Sequence, residues 1–533
     1  MSFRSALFSA AVLVTPLGAA AQVESEGMSD ITAWGARYLE ASEGEFPARL
    51  WQRSSDETLL ELMREAKTTR ITPTERMLLR RVILSPTRRP RGNKADELLA
   101  ERARLMLALG EAEAAAALVP RLETEARGID AETLAVDLAL ARGDEATACR
   151  RVYSAAALPE GMYWLKLSAV CAVLREEFAR AEFAVELATT QGLNDPWFIN
   201  AIFAASGDVP DPPNARFDSG LNIALSAKAD LDQSRITTSS SRPDLAAAAA
   251  VRPGVPPELA ERFATLAGEA ALLSPQQQRR ILMARMQDEA YTPQNAVQSA
   301  MSGFRDPALN AGEKARRLDS ALRAASRGDL SRLRTTVLVL LPELQQLSRT
   351  PETATYALTF AKASLVAGDT RLAQAWLATH GLADIETRDA FEVAKLEALG
   401  FLTDPEPSRA QQNSLQAALI EAAKSDVQRT QAARLLTLWQ GFGLALGPDA
   451  RSLISSYRDT GKRLDAGRVS AIEAAAQSGA IGETVLRILA ETNRAPDKIA
   501  ARDMAALIAA LRQVGADDAA QSLAVEASSV FAG

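Results

Sequence analysis

The sequence predicts an all-α fold, a solenoid of stacked antiparallel helix pairs with no β-sheet. Apolar residues make up 47% of the 533-residue chain and aromatic residues only 5%, because alanine replaces many bulky side chains. Alanine is the best helix former. Apolar stripes recur at helical spacing, as at Tyr163, Leu167, Val170 and Leu174. Sustained apolar/polar alternation and Asn-Gly or Asp-Gly hairpin turns, which would predict strands, are absent from the sequence.

Residues 1–21 have the pattern of a secretory signal peptide. Arg4 gives a short positive region, residues 6–14 are apolar, and three alanines provide a cleavage site before Gln22. The alternative is a membrane anchor, but the apolar run is shorter than the roughly 20 residues that a span needs. No later stretch is long and apolar enough to cross a bilayer. We therefore expect an exported protein, periplasmic in a Gram-negative bacterium, with no membrane span after signal cleavage.

A helix–turn–helix pattern then recurs along the chain. A helical run ends in glycine and the next run begins close by, often with an acidic residue, as in "LARGDEATA" and "LVAGDTRLA". Glycine accepts the left-handed conformation that ends a helix, and the acidic residue can cap the next one. The turns carry glycines 110, 143, 328, 368, 400 and 515. Two intervals, 110 to 143 and 368 to 400, match the period near 33–34 residues that stacked helix pairs produce. A further turn, without glycine, is expected near Glu176.

The stretches "LALGEAEAAAALVPRL" and "LVAGDTRLAQAWLATHG" resemble the tetratricopeptide-like helical repeats in their small residues, turn glycine and helix pairing. The resemblance covers two or three units in each half of the chain. It implies a scaffold of helix pairs, each packed only against its neighbours. The chain is also similar, more weakly, to the alanine-rich superhelical region of the soluble lytic transglycosylases.

Proline and serine mark a boundary at 207–257, where "GDVPDPPNARFDSG", "DQSRITTSSSRP" and "VRPGVPPE" follow one another. Two short helical runs lie between these segments. We interpret the region as an irregular joint. The predicted organisation is a signal peptide at 1–21, helical repeats at 22–206, the joint at 207–257 and further helical repeats at 258–533.

The chain has two cysteines, Cys149 and Cys171. Each lies 11 residues from Glu160, in the predicted turn "LPEG", so an antiparallel helix pair places both about 16 Å from that turn. Disulfides persist in exported proteins, and the spacing does not fit a Cys-x-x-Cys redox motif. We predict a disulfide that could add about 3 kcal/mol. The alternative is two free buried cysteines.

No catalytic, cofactor-binding or metal-binding constellation is recognisable. The single histidine, His380, precedes a glycine at a predicted helix end, where a cap or surface role is usual. One histidine cannot form a His-Glu-x-x-His zinc site, and the sequence has no Gly-x-Ser-x-Gly elbow. The spaced glycines at 441–447 lack the context of a nucleotide loop and predict a helix–helix turn.

The net charge of −7 argues against a general nucleic-acid binder. One basic run, "PTRRPRGNK" at 86–94, is interpreted as a solvated loop; contact with an acidic partner is the alternative. The tryptophans are expected mostly in the core, at positions 34, 51, 164, 197, 376 and 439.

Architecture without catalytic residues predicts a non-enzymatic, periplasmic scaffold or adaptor that binds a protein or peptide in the cell envelope. The alternative is an accessory or catalytically degenerate peptidoglycan-associated protein, related to the transglycosylase superhelices.

Overall fold

The computed structural model describes residues 32–39, 43–122, 129–154, 159–207, 209–233, 242–287, 291–384, 389–403 and 408–528. The predicted signal peptide at 1–21 lies outside the described residues. The part of the chain that is described is all-α, with 27 α-helices and no strand. A single β-bridge joins Lys462 and Ile499. The predicted fold class is confirmed to this level.

The larger apolar core combines helices from the two ends of the chain. Its N-terminal helices are α1 (Asp56–Glu65), α2 (Pro73–Leu84), α3 (Ala95–Ala108) and α4 (Ala112–Leu118). Its C-terminal helices are α14 (Ala296–Arg305), α15 (Ala311–Ser326), α16 (Leu330–Gln346), α18 (Ala357–Ala367), α19 (Thr370–His380), α20 (Ala390–Gly400), α21 (Arg409–Ala422), α22 (Asp426–Gly441), α23 (Pro448–Ser456), α24 (Ala466–Ser478), α25 (Ile481–Thr492), α26 (Ala501–Gln513) and α27 (Asp517–Ala527). The four-residue helix α17 (Pro351–Ala354) lies between α16 and α18 in the sequence.

A smaller core lies between these two groups in the sequence. It is built from α5 (Ala131–Arg142), α6 (Glu145–Ser154), α7 (Met162–Leu174), α8 (Phe178–Thr190), α9 (Pro196–Ser206), α10 (Gly220–Lys228), α11 (Pro243–Ala250) and α12 (Pro257–Glu269). The next helix, α13 (Pro275–Arg285), contacts both cores. Short 3₁₀ turns lie at Val119–Arg121, Phe401–Thr403 and Pro496–Lys498.

The helix-pair turns follow the predicted chemistry at several positions. Gly143 and Gly368 end α5 and α18 in the left-handed conformation, with φ of 85° and 79°. The aspartate that follows each glycine caps the next helix: the Thr147 N–H donates to Asp144 at 3.2 Å and the Leu372 N–H donates to Asp369 at 3.0 Å. The predicted turn without glycine is also present, and there Glu176 itself takes a φ of 63°.

Two of the predicted turn glycines behave differently. Gly400 is the last residue of α20, and the chain continues from it into the 3₁₀ turn Phe401–Thr403 instead of reversing on a left-handed glycine. Gly328 is not left-handed either; its N–H donates to the Ala325 carbonyl in a right-handed turn. A single glycine therefore marks a helix end in this chain without fixing how the helix ends.

The two ends of the described chain pack against each other. Glu75 of α2 accepts hydrogen bonds from the Thr492 hydroxyl at 2.6 Å and from the Arg494 N–H at 2.8 Å. The N–H and hydroxyl of Thr74 donate to Glu526 of α27 at 2.9 and 2.8 Å. The expectation that each helix pair packs only against its sequence neighbours is therefore wrong here, because α2 completes its burial against α25 and α27.

The predicted joint at 207–257 contains the two expected short helices, α10 and α11, and both pack on α5. The approach is close: a β-carbon on Gly220 would collide with the Asp137 carbonyl oxygen. Arg252 donates to the Leu140 carbonyl and pairs with Glu145 at 3.2 Å. The described part of this segment thus belongs to the smaller core, while the division of the chain at 207–257 stays a prediction.

Candidate functional site

A surface groove runs along α19, α20 and α21. It consists of two adjoining cavities of about 830 and 510 Å³, and the side chains of Leu377 and Glu397 line both. The first cavity also reaches Gln521 of α27. Concave sites of this size are the usual form of binding pockets. We name these two cavities together the α19–α21 groove.

The local sequence explains why α19 presents a polar edge to this groove. Its buried side is anchored by Trp376, which is fully buried with its ring centroid 4.9 Å from that of Phe360. Arg371 and Gln374, on the opposite side of the helix, are exposed and line the first cavity. The Asp369 cap fixes where α19 begins and therefore which side chains reach the groove.

Glu397 is a charged group of the groove without an ion-pair partner among the described residues, and Arg371, Glu421 and Lys424 also form no ion pair. Its side chain is exposed where the two cavities meet, and it forms no ion pair with any described residue. Partial burial of the carboxyl raises its pKa, and no neighbouring charge offsets this effect. An exposed carboxylate without a partner can form a charge-assisted hydrogen bond with a cation supplied from outside.

Sequence reasoning did not single out Glu397, although one signal was present. The residues three and four positions away in the sequence are Ala394, Val393, Gly400 and Phe401, so no basic side chain can pair with Glu397 at helical spacing. The shape of the groove, by contrast, depends on how α19, α20 and α21 pack.

His380 lies at the end of α19, as expected, but the cap or surface role expected for it is wrong. The side chain is only 2% exposed, and its Nδ1 lies 3.4 Å from the Ala354 carbonyl oxygen. Its Nε2 is buried without a hydrogen-bond partner among the described residues. The ring contributes to the wall of the second cavity. The imidazole is buried because α17 packs over the C-terminal turn of α19.

The structure brings Cys149 of α6 and Cys171 of α7 together at disulfide distance, with their Cα atoms 5.6 Å apart. Both side chains are buried in the smaller core. The Tyr153 hydroxyl donates to the Cys171 carbonyl at 2.9 Å and adds a second contact between the same helices. The pair lies in a different core from the α19–α21 groove.

The other sequence features fall on structural positions. Residues 86–94 form a loop in which Arg88, Arg89 and Arg91 are exposed, as the solvated-loop interpretation expected. Residues 441–447 connect α22 to α23, as predicted. All six tryptophans are buried. Trp439 packs against Phe401 with ring centroids 5.3 Å apart.

None of the described helices has the length and apolar character needed to cross a membrane. Within the described residues, no three or more His, Cys, Asp and Glu side chains are grouped so that they could hold a metal ion. No family model, curated protein or solved structure matches the chain.

Proposed function

We propose that this protein is an exported, non-enzymatic helical-repeat scaffold that binds a segment of a protein partner in the cell envelope. The observation that supports this function best is the α19–α21 groove with the unpaired carboxylate of Glu397 at its centre. The helix pairs are proposed to be tetratricopeptide-like, a relation supported by the α18–α19 hairpin with its left-handed Gly368. Repeat scaffolds of this kind bind partners along concave surfaces.

The occupant that fits the groove is an extended peptide segment carrying a lysine or arginine. Two adjoining cavities that share Glu397 suit a chain that fills one, passes the carboxylate and fills the other. Glu397 then pairs with the basic side chain, in an interaction strengthened by partial desolvation. The other charges lining the groove are Asp369, Arg371, Glu421 and Lys424, which leave it with one net negative charge when Glu397 is included.

Site-specific photocrosslinking in intact cells tests this function. A photoreactive residue replaces Gln374, which is exposed in the groove, and in a matched strain it replaces Glu182, which is exposed on α8 outside it. We expect one discrete partner from position 374 that is absent from position 182. Glu397→Lys should abolish that product, because the groove then repels a basic segment.

Identical crosslinking profiles at the two positions would contradict the proposal, as would a partner that is retained in Glu397→Lys. Muropeptides added to the envelope fraction provide the competing ligand. If they displace the partner, the groove binds peptidoglycan fragments, as the peptidoglycan-associated alternative predicts. The same samples report on export, since the mature protein should begin at Gln22.

A further inference from the structure

A separate cavity lies at the junction of the two cores, away from the α19–α21 groove. Its volume is about 490 Å³, and its walls come from α2, α12, α13, α16 and α27. It therefore lies where the beginning, the middle and the end of the described chain meet. Four arginines line it, namely Arg76, Arg80, Arg81 and Arg334.

Two of these arginines are neutralised by the protein. Arg80 pairs with Glu43 at 2.6 Å and also with Glu111. Arg81 pairs with Asp518 at 2.9 Å through one terminal nitrogen. Even so, the Nε of Arg81 is buried without an acceptor, and the Arg81 residue is only 7% exposed. A donor in this position costs free energy unless something accepts from it.

The other two arginines have no carboxylate partner. Neither Arg76 nor Arg334 forms an ion pair with any residue that the structure describes. The Nε of Arg76 is buried without an acceptor, and its one hydrogen bond is a long 3.4 Å contact to the Leu109 carbonyl. Burial lowers the pKa of both guanidinium groups, and the charge of Arg80 lowers the pKa of Arg76 further. The carboxylates of Glu111, near Arg76, and of Glu526 and Asp518, near Arg334, act in the opposite direction.

The remaining acidic group in the lining does not supply the missing charge. Glu269 forms no ion pair among the described residues, and burial together with the nearby charge of Asp329 raises the pKa of its carboxyl.

We propose that this cavity binds a small multivalent oxyanion, a phosphate or a polycarboxylate, through Arg76 and Arg334 with support from Arg81. The ligand accepts from the guanidinium groups of Arg76 and Arg334, which line the cavity and form no ion pair with a described residue. Planar guanidinium groups bind both phosphate and carboxylate in a bidentate manner, so the two ligand classes would be recognised through the same oxyanion contacts. The inference does not depend on the function of the α19–α21 groove.

Isothermal titration calorimetry on the purified mature protein tests the site, with inorganic phosphate and citrate as separate ligands. Sodium chloride at matched ionic strength is the reference. We expect saturable binding of one oxyanion at a single site. The ligand that binds more tightly shows whether the site prefers a phosphate or a polycarboxylate. Arg76→Gln and Arg334→Gln should each weaken it about tenfold or more, as expected when a charge-assisted hydrogen bond is lost.

Arg316→Gln is the matched control, because Arg316 is exposed on α15 and does not line the cavity. It should bind the oxyanion as the unmodified protein does. Arg334→Lys keeps the positive charge, so it still tests the site if the glutamine variants misfold. It should retain weaker, saturable binding. Absence of saturable binding for both ligands overturns the proposal, and so does equal binding by folded Arg76→Gln, Arg334→Gln and Arg316→Gln.

Discussion

Gly482 lies at a close contact between the N-terminal and C-terminal parts of the larger core. It is the second residue of α25, and its N–H donates to the Leu50 carbonyl at 3.0 Å. A β-carbon built on Gly482 would lie 2.7 Å from Cε3 of Trp51 and 3.1 Å from that same carbonyl oxygen. Because Trp51 is almost fully buried, its ring has no space into which to retreat. Only glycine fits this contact.

Gly482→Ala should therefore lower the free energy of unfolding by about 1–3 kcal/mol, the usual cost of overpacking a core. Gly312→Ala is the control, since Gly312 is the second residue of α15 and an added β-carbon there meets nothing closer than 3.4 Å. That control should stay within about 0.5 kcal/mol of the unmodified protein. Urea unfolding followed by circular dichroism measures both, and equal stability of the two variants would contradict the assignment.

At the scale of elements, the cysteine pair ties α6 to α7 in the smaller core. The loop that it closes spans 22 residues. Replacing both residues, Cys149→Ala with Cys171→Ala, should destabilise the smaller core by about 3 kcal/mol. The measurement is hydrogen exchange in α6 and α7, with α22 of the larger core as the internal control. Non-reducing peptide mapping of exported protein should return the linked peptides, and free thiols at both positions would refute the pairing.

The α19–α21 groove gives a prediction about pH. A basic segment binds Glu397 only when the carboxyl is ionised, and the pKa of that carboxyl is raised. Affinity for the crosslinked segment, made as a synthetic peptide, should therefore fall as the pH is lowered from about 7.5 to about 5, and earlier than for an ordinary glutamate. Glu397→Gln should bind about tenfold more weakly at neutral pH.

The other titrating groups in the groove wall, Asp369, Glu421 and His380, remain in Glu397→Gln. Fluorescence anisotropy across the pH range separates their contribution. A pH profile that is as steep in Glu397→Gln as in the unmodified protein would assign the effect to them.

Local chemistry made many elements predictable. Helix ends at Gly143 and Gly368 need only a left-handed residue and a following aspartate, so they can be read from a few letters of sequence. Cys149 and Cys171 were also predictable, because the turn between them is equally distant from each. The charges of Glu397, Arg76 and Arg334 look ordinary in the sequence. What distinguishes them is a missing partner, and that depends on which distant helices pack around them.

For the molecule as a whole, the contact between α2 and α27 predicts that the C-terminus stabilises the N-terminal helices. Deleting the residues after Gly515 removes α27 and with it the bonds of Thr74 to Glu526 and of Arg81 to Asp518. We expect faster hydrogen exchange in α1 and α2. Exchange in α8, which belongs to the smaller core, should stay unchanged. Unchanged protection of α2 would show that its packing on α27 contributes little.

The hydrogen bond between Glu75 and Thr492 joins residues 417 positions apart. A ribosome that adds about 5–20 residues per second needs roughly 20–80 s to make the chain between them. Throughout that interval α2 exists without the surfaces of α25 and α27 that cover it. The N-terminal helices of the nascent chain therefore have an uncovered apolar side during most of synthesis. A holding chaperone can bind them throughout that interval.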